Sequence, residues 1–476
     1  MKIPTKLKIY WLSVILIVSP IMAALAKPDG NENTPLTLSL SECIERAFAT
    51  SADLEYSKNT LSSHQERIRQ ARLDRWPTTT MSLSKNKIID VEDFSYYDPQ
   101  TGQVFIPGEG YEFAVSLTAP IYTGGRLSGE IDQARAAYMS NSIDYKTLER
   151  NLWMDVVATY VTALEQRAEK SVRIEQVAKA VESLKLAETR LAAGQGIRYD
   201  VMLEKAYLAD ARLELVKSEN AYQDALRSLL LLIHEPLDLE VSIENISVPE
   251  QKPAGLEMLI QQGLENREDI QKIQTEINAL NASLKILESS RKPTFEFFAE
   301  YGKQGQSLSD INNDDNRVTA GISVHFSPFW NSTMSAGTYR DRINSNDYMQ
   351  RNYLSLNLMD GSSRLADVME SEFAIRKNEL LLVDLKHQII LEISEAFERQ
   401  HESEIALEAK TLQLDASEEN FAIEQKRNEL GLNQYKDVVD ARTDVISARI
   451  NLNYAMYRYA YDRARLEYVL GNTPWR

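Results

Sequence analysis

Two segments of this chain, 216 positions apart, align without a gap. Ile44 matches Ile260, Phe48 matches Leu264, Asp53 matches Asp269, Leu54 matches Ile270, Leu61 matches Ile277, Ile68 matches Leu284, Arg75 matches Arg291 and Pro77 matches Pro293. Further on, an offset of 208 pairs Pro120-Ile121-Tyr122 with Pro328-Phe329-Trp330. An offset of 237 then pairs Tyr160 with Phe397, Gly194 with Gly431, Asp200 with Asp437 and Ala211-Arg212-Leu213 with Ala448-Arg449-Ile450. One unit is thus present twice: a helix stopped by proline, two strands, a very long helix, a glycine break and a return helix. Duplication on this scale marks an architectural protein before a catalyst.

The long helix limits the choice of fold further. Between Gly129 and Gly194 there is neither proline nor glycine, and Leu127, Ile131, Ala134, Tyr138, then Leu148, Leu152, Val156, Tyr160, then Val177, Val181 and Leu184 recur at three- and four-residue steps. At ~1.5 Å per residue such a stretch reaches ~100 Å, beyond any ordinary globular domain. Helices of that length need lateral packing against other helices, as in coiled coils. In the second copy 103 residues separate Pro328 from Gly431, against 74 between Pro120 and Gly194. If both long helices span one height, the surplus is an excursion, expected within Gln350 to Asn378, where Asp360-Gly361-Ser362-Ser363 breaks the pattern. That insertion, the linker Leu237 to Gly255 and the chain ends are expected to form a belt around the helices. Repeat 1 then covers residues 27–236, with strands near 78–90 and 110–122. Repeat 2 covers 256–476, with strands near 294–303 and 317–329.

Between the helices the period changes to two. Phe113, Val115, Leu117, Ala119 and Ile121 alternate with small or polar residues, as do Phe295, Phe297, Ala299 and Tyr301, and Val318, Ala320, Ile322, Val324 and Phe326. Aromatic residues (Trp76, Tyr111, Tyr122, Phe329, Trp330) stand near the strand ends, as in an outer-membrane barrel wall, and the loops Ile89 to Glu109 and Gln304 to Asn316 would face outward. A soluble sandwich gives the same alternation. Four strands are too few for a closed barrel, and lipid tolerates no open edge. Either the strands cover a soluble core, or several chains pool them.

The N-terminus reads as a secretory signal. Lys2, Lys6 and Lys8 precede an apolar run to Leu25, and Ala24-Leu25-Ala26 fits a cleavage site, so residues 1–26 are expected to be removed. A net charge of −17 argues against nucleic acid as a partner. The single cysteine, Cys43, excludes an internal disulfide and is expected as a buried helix residue.

Taken together, these features resemble the TolC family of outer-membrane channel-tunnels, the exit ducts of efflux pumps and type I secretion systems. The most specific parts are the two-copy layout, Pro120-Ile121-Tyr122-Thr123-Gly124-Gly125-Arg126 and the segment from Gly431 to Ala441. The resemblance implies a mainly α protein with a small β part. Each chain of a homotrimer would give four strands to a 12-stranded barrel in outer-membrane lipid, and its helices to a periplasmic coiled-coil tunnel. It implies a passive duct in the outer membrane of a Gram-negative cell. The duct would be opened by a periplasmic adaptor (membrane fusion) protein and served by an inner-membrane transporter of ABC, RND or MFS type. The rival is a periplasmic coiled-coil scaffold or adaptor with no barrel.

The family narrows its tunnel entrance with two aspartates one helical turn apart, which match Asp437 and Asp440. At i and i+3 they share a face, and in a trimer they would form two carboxylate rings that favour cations. Asp at an exposed helix start has a plainer reading, as a partner of the helix dipole. Asp200 matches a gate aspartate whose expected aromatic and arginine partners correspond here to Asn428 and Asn433, a departure that implies a closed state held by amide hydrogen bonds or held less firmly. Gly194 and Gly431 mark the turns at the tip. No Walker loop, zinc-spaced histidine pair or nucleophile–base set is present, so no cofactor, metal or enzymatic activity is expected.

Overall fold

The computed structural model describes residues 36–86, 96–97, 104–105, 110–246, 255–305, 316–326, 332–342, 348–358 and 364–472. The signal segment, most of the two outward loops, Phe329, Trp330 and residues 360–363 lie outside them. In chain order the first copy holds β1 (Leu36–Leu38), α1 (Leu40–Thr50), α2 (Ala52–Leu73), β2 (Thr78–Asn86), the short pair β3 (Tyr96–Tyr97) and β4 (Val104–Phe105), β5 (Gly110–Tyr122), α3 (Arg126–Ala192) and α4 (Arg198–Leu232). β6 (Val241–Ile243) follows and pairs in parallel with β1. The second copy holds α5 (Leu256–Asn266), α6 (Glu268–Ser289), β7 (Thr294–Gly305), β8 (Asn316–Phe326), β9 (Ser332–Arg342), β10 (Tyr348–Leu358), α7 (Arg364–Glu429) and α8 (Tyr435–Val469).

The duplication is structural. α1 and α5 are 11 residues each, α2 and α6 are 22, α4 and α8 are 35, and α3 and α7 are 67 and 66. Each long helix runs from the sheet to a distal tip. α3 packs on α2 and α6 in its sheet-proximal part and on α4 and α8 toward the tip. Among the described residues no helix is long and apolar enough to cross a membrane.

The single opening helix expected before Pro77 is two helices. Ser39 caps α1 reciprocally with Glu42, but at Ser51 the backbone turns extended and its hydroxyl accepts from the Leu54 N–H, starting α2 anew. The second copy breaks at the equivalent Arg267 without a side-chain cap. There the buried guanidinium donates to Glu392, to Asp269 and to the Val469 carbonyl, so tertiary contacts hold the break open.

Two equivalent cores fix the short helices to the long ones. In the first copy Ile44 and Ala47 of α1 pack with Val156 and Tyr160 of α3, Leu229 and Ile233 at the end of α4, and β1 and β6. In the second, Leu259 of α5 packs with Ile389 and Ile393 of α7 and Leu466 and Leu470 at the end of α8. Tyr160 also ties the β1–β6 pair to α3, because its fully buried hydroxyl bridges the Leu38 and Glu244 carbonyls. Its counterpart Phe397 carries no hydroxyl.

The sheet holds six strands, in the antiparallel order β10-β9-β8-β7-β5-β2. Four of them, β2, β5, β7 and β8, are the strands expected, and β5, β7 and β8 follow the expected alternation. The hairpin β9–β10 adds two strands to the four expected per chain. The surplus residues of the second copy form this hairpin at 332–358, not an insertion at 350–378, and α7 is helical from Arg364. The excursion therefore extends the sheet and takes no part in a belt around the helices. One further detail differs. The register shifts between Pro120 and Tyr122, where proline lacks a ladder donor, so Tyr122 and not Ile121 pairs with Phe295 on the apolar face.

Candidate functional site at the helical tip

Both helix pairs turn by the same motif. Gly194 and Gly431 adopt φ of +71° and +73°, and the following N–H groups of Gln195 and Leu432 donate back to the Arg190 and Arg427 carbonyls. This is a glycine-terminated helix end, and it explains the matched glycines, because a side chain in that backbone region is strained. No atom lies within 4 Å of a Cβ built at either position, so conformation and not space requires glycine there.

The return helix α8 then starts at Tyr435, with Gln434 as its N-cap. Asp437 accepts from the Gln434 N–H at 3.0 Å and so caps its own helix. Asp440 is exposed one turn on. Both line an open cleft of ≈840 Å³ together with Asn420, Glu424 and Asp444. Asp444, four residues beyond Asp440, extends the acidic face by another turn; that spacing is legible in the sequence, although it did not enter the expected site.

Asp200 lies across a second groove, of ≈900 Å³, formed by both turns and shared with Gly194, Asn428, Gly431 and Asn433. The two asparagines spend their amides within their own turn. Asn428 donates to the Asn433 carbonyl at 3.5 Å, and Asn433 donates to the carbonyl and the carboxylate of Glu424. That amide, followed by the Arg427 guanidinium, holds the Glu424 carboxyl below its ordinary range.

What joins the two helix pairs is a buried cluster absent from the sequence-based expectations. Glu204 of α4 is fully buried; its Oε1 accepts from Tyr435 at 2.7 Å and from Arg442 of α8 at 2.8 Å. Arg442 also donates to Ser183 of α3 at 2.6 Å and stacks over the Tyr207 ring at 4.3 Å. Burial, and then the bond to Glu204, push the Tyr435 phenol upward, so it stays a donor at any physiological pH. The signal was available. Glu204 stands on the apolar stripe Val201, Leu208, Ala211, and Arg442 on the stripe Val439, Ile446. A charge on a core-facing stripe implies a partner, because an unpaired buried charge is prohibitive. Above this cluster Arg449 of α8 pairs with Glu175 of α3 and Glu418 of α7, a partly exposed strap across three helices.

Comparison with known proteins agrees with this geometry. The solved structures of CusC and of VceC from Vibrio cholerae each superpose with a TM-score of 0.73, at 14% and 16% identity. They cover 94% and 91% of this chain and 96% of their own. The solvent efflux pump outer membrane protein SrpC of Pseudomonas putida is 21% identical over 87% of this chain and 81% of its own length. The proteases secretion protein PrtF of Dickeya chrysanthemi is 22% identical over 41% of each. A family model described as "Outer membrane efflux protein" matches residues 43–233 and again 259–472, one match for each copy of the duplicated unit. The chain belongs to the outer membrane efflux protein family and has the fold of its channel-tunnels.

Proposed function

We propose that this protein is the passive exit duct of a tripartite efflux pump or type I secretion system. It would work as a homotrimer, with a periplasmic adaptor and an inner-membrane transporter that supplies the energy. One observation carries the reading: a sheet with an apolar outer face continues, in the same chain, into helix pairs ~100 Å long that end in an aspartate-lined tip. A sheet face that leaves Met81, Leu83, Ile322 and Leu354 more than one-third exposed suits lipid and not water.

Gating on this reading is a movement of the α7–α8 turn relative to the α3–α4 turn. The Glu204–Arg442–Tyr435 cluster is the contact that must shift or rotate with it, and an adaptor wedged into the groove beside Asp200 would supply the force. Asp437 and Asp440 of three chains form the carboxylate rings of the constriction, with Asp444 continuing them inward. Rings of this kind concentrate cations and repel anions. The relatives' names divide between solvent efflux and protease secretion, so the cargo is assigned by deletion, scoring secreted proteins and solvent or antibiotic sensitivity in parallel. Conductance of the trimer in planar bilayers tests the rings. Asp437→Ala with Asp440→Ala should weaken cation preference and relieve block by multivalent cations, and an unchanged preference would remove those residues from the constriction.

A further inference from the structure

We propose that β9 and β10 are two additional staves of the barrel wall, and that β10 is the edge that pairs with β2 of a second copy of this chain. Three copies of the six-stranded sheet would then close a barrel of eighteen strands where the resemblance implied twelve. The inference rests on the trimeric duct reading above.

The outer face supports it first. One rung of the sheet runs Tyr122–Phe295–Val324–Ala336–Leu354 across five strands, and the neighbouring rung carries Phe326, Met334 and Leu356. The apolar band of β5, β7 and β8 thus continues over the hairpin. Leu354 and Leu358 are 68% and 66% exposed, an arrangement that water disfavours and lipid accepts.

The inner face is built across the same strands. Phe298 of β7, Tyr339 of β9 and Tyr353 of β10 form a diagonal file, with ring centroids 6.2 and 6.4 Å apart. Beneath them lie Gly321 and Gly337. A Cβ at Gly321 would come within 2.8 Å of the Phe298 ring and 2.6 Å of Tyr339, and one at Gly337 within 2.5 Å of the Tyr353 ring. Aromatic rings covering cross-strand glycines are a device for fixing register, and here it fixes the hairpin to β7 and β8. Arg351 adds a hydrogen bond to the Tyr339 hydroxyl at 3.2 Å.

Topology permits the closure. A hairpin adds one ascending and one descending strand, so β10 enters α7 in the sense that β8 would have done, and α7 stays within one residue of α3 in length. The strands left at the edges are β10, descending, and β2, ascending, which is antiparallel. In lipid both edges must be paired, and a second copy offers the complement of each. Barrel diameter grows about linearly with strand number, so the wall would be ~1.5 times as wide as a twelve-stranded one, leaving the helical tip as the sole constriction.

Cysteine cross-linking in native membranes tests this, in a Cys43→Ser background and after native mass measurement of the extracted protein. Cysteines at Leu354, Leu356 or Leu358 are combined singly with cysteines at Thr79, Met81 or Leu83 and oxidised. Linked trimers on denaturing gels are expected from β10–β2 pairs, and none from the control pairs joining Ile322 or Val324 to β2. Trimers linked through β8 and β2 overturn the six-stave wall and leave the duct reading intact. A protein that is monomeric before oxidation overturns both.

Discussion

Glu204 on α4, fully buried, and Arg442 on α8, nearly so, meet at 2.8 Å, 238 residues apart in the chain. Removing one partner leaves a buried charge unpaired, so Arg442→Ala and Glu204→Ala should each lose ~3–5 kcal/mol locally. Glu204→Met combined with Arg442→Met should recover most of that loss. Tyr435→Phe, which deletes one bond to a charged acceptor, should lose only ~1.5–3 kcal/mol. Thermal unfolding of the four variants, with closed-state conductance alongside, checks the order. Equal losses for the single and double variants would contradict it.

The two tip glycines should behave alike. Gly194→Ala and Gly431→Ala face open space, so each is expected to lose only the ~1–2 kcal/mol of a left-handed alanine. Asparagine should be tolerated better at both positions. Hydrogen exchange at the two turns reads the effect, and a large loss at one site alone would show that the turns are not equivalent.

Asp437 and Asp440 should separate in stability although they share a face. Asp437→Ala removes the carboxylate that caps α8 and should lower stability by ~0.3–1 kcal/mol. Asp440→Ala should leave stability unchanged and alter ion selectivity only. Chemical denaturation of both variants decides this.

The Glu424 carboxyl is held below its ordinary value of 4.5 by Asn433 and then by Arg427, so its folded pKa lies beneath its unfolded one. Its contribution to the α7–α8 turn is complete above the unfolded value and is lost as pH falls through the folded one. Exchange at Leu432 and Asn433, corrected for intrinsic rates, should stay flat from neutral pH down to about 4.5 and rise only below it. Glu424→Gln should flatten the profile.

Cys43 is the single thiol, fully buried, and burial raises its pKa to about 11. With thiolate scarce and access closed, maleimide at neutral pH should label the folded protein very slowly and the denatured protein fully. Fast labelling of the native trimer would show that α1 opens from its core.

Sequence alone determined what local rules can express. The length of α3, the glycines at φ near +70° and the alternation of β5, β7 and β8 each depend on a residue's own backbone or on neighbours a few positions away, and the duplication repeats those local patterns along the chain. Such signals survive without knowledge of the partner. The tertiary structure alone decided the rest. Arg267 breaks a helix because Glu392 and the Val469 carbonyl lie in reach, and Glu204 and Arg442 find one another across two helix pairs. The hairpin β9–β10 joins the sheet because Gly321 and Gly337 leave room for rings from other strands. These outcomes depend on which surfaces meet at long range, and periodicity records only that a surface needs a partner.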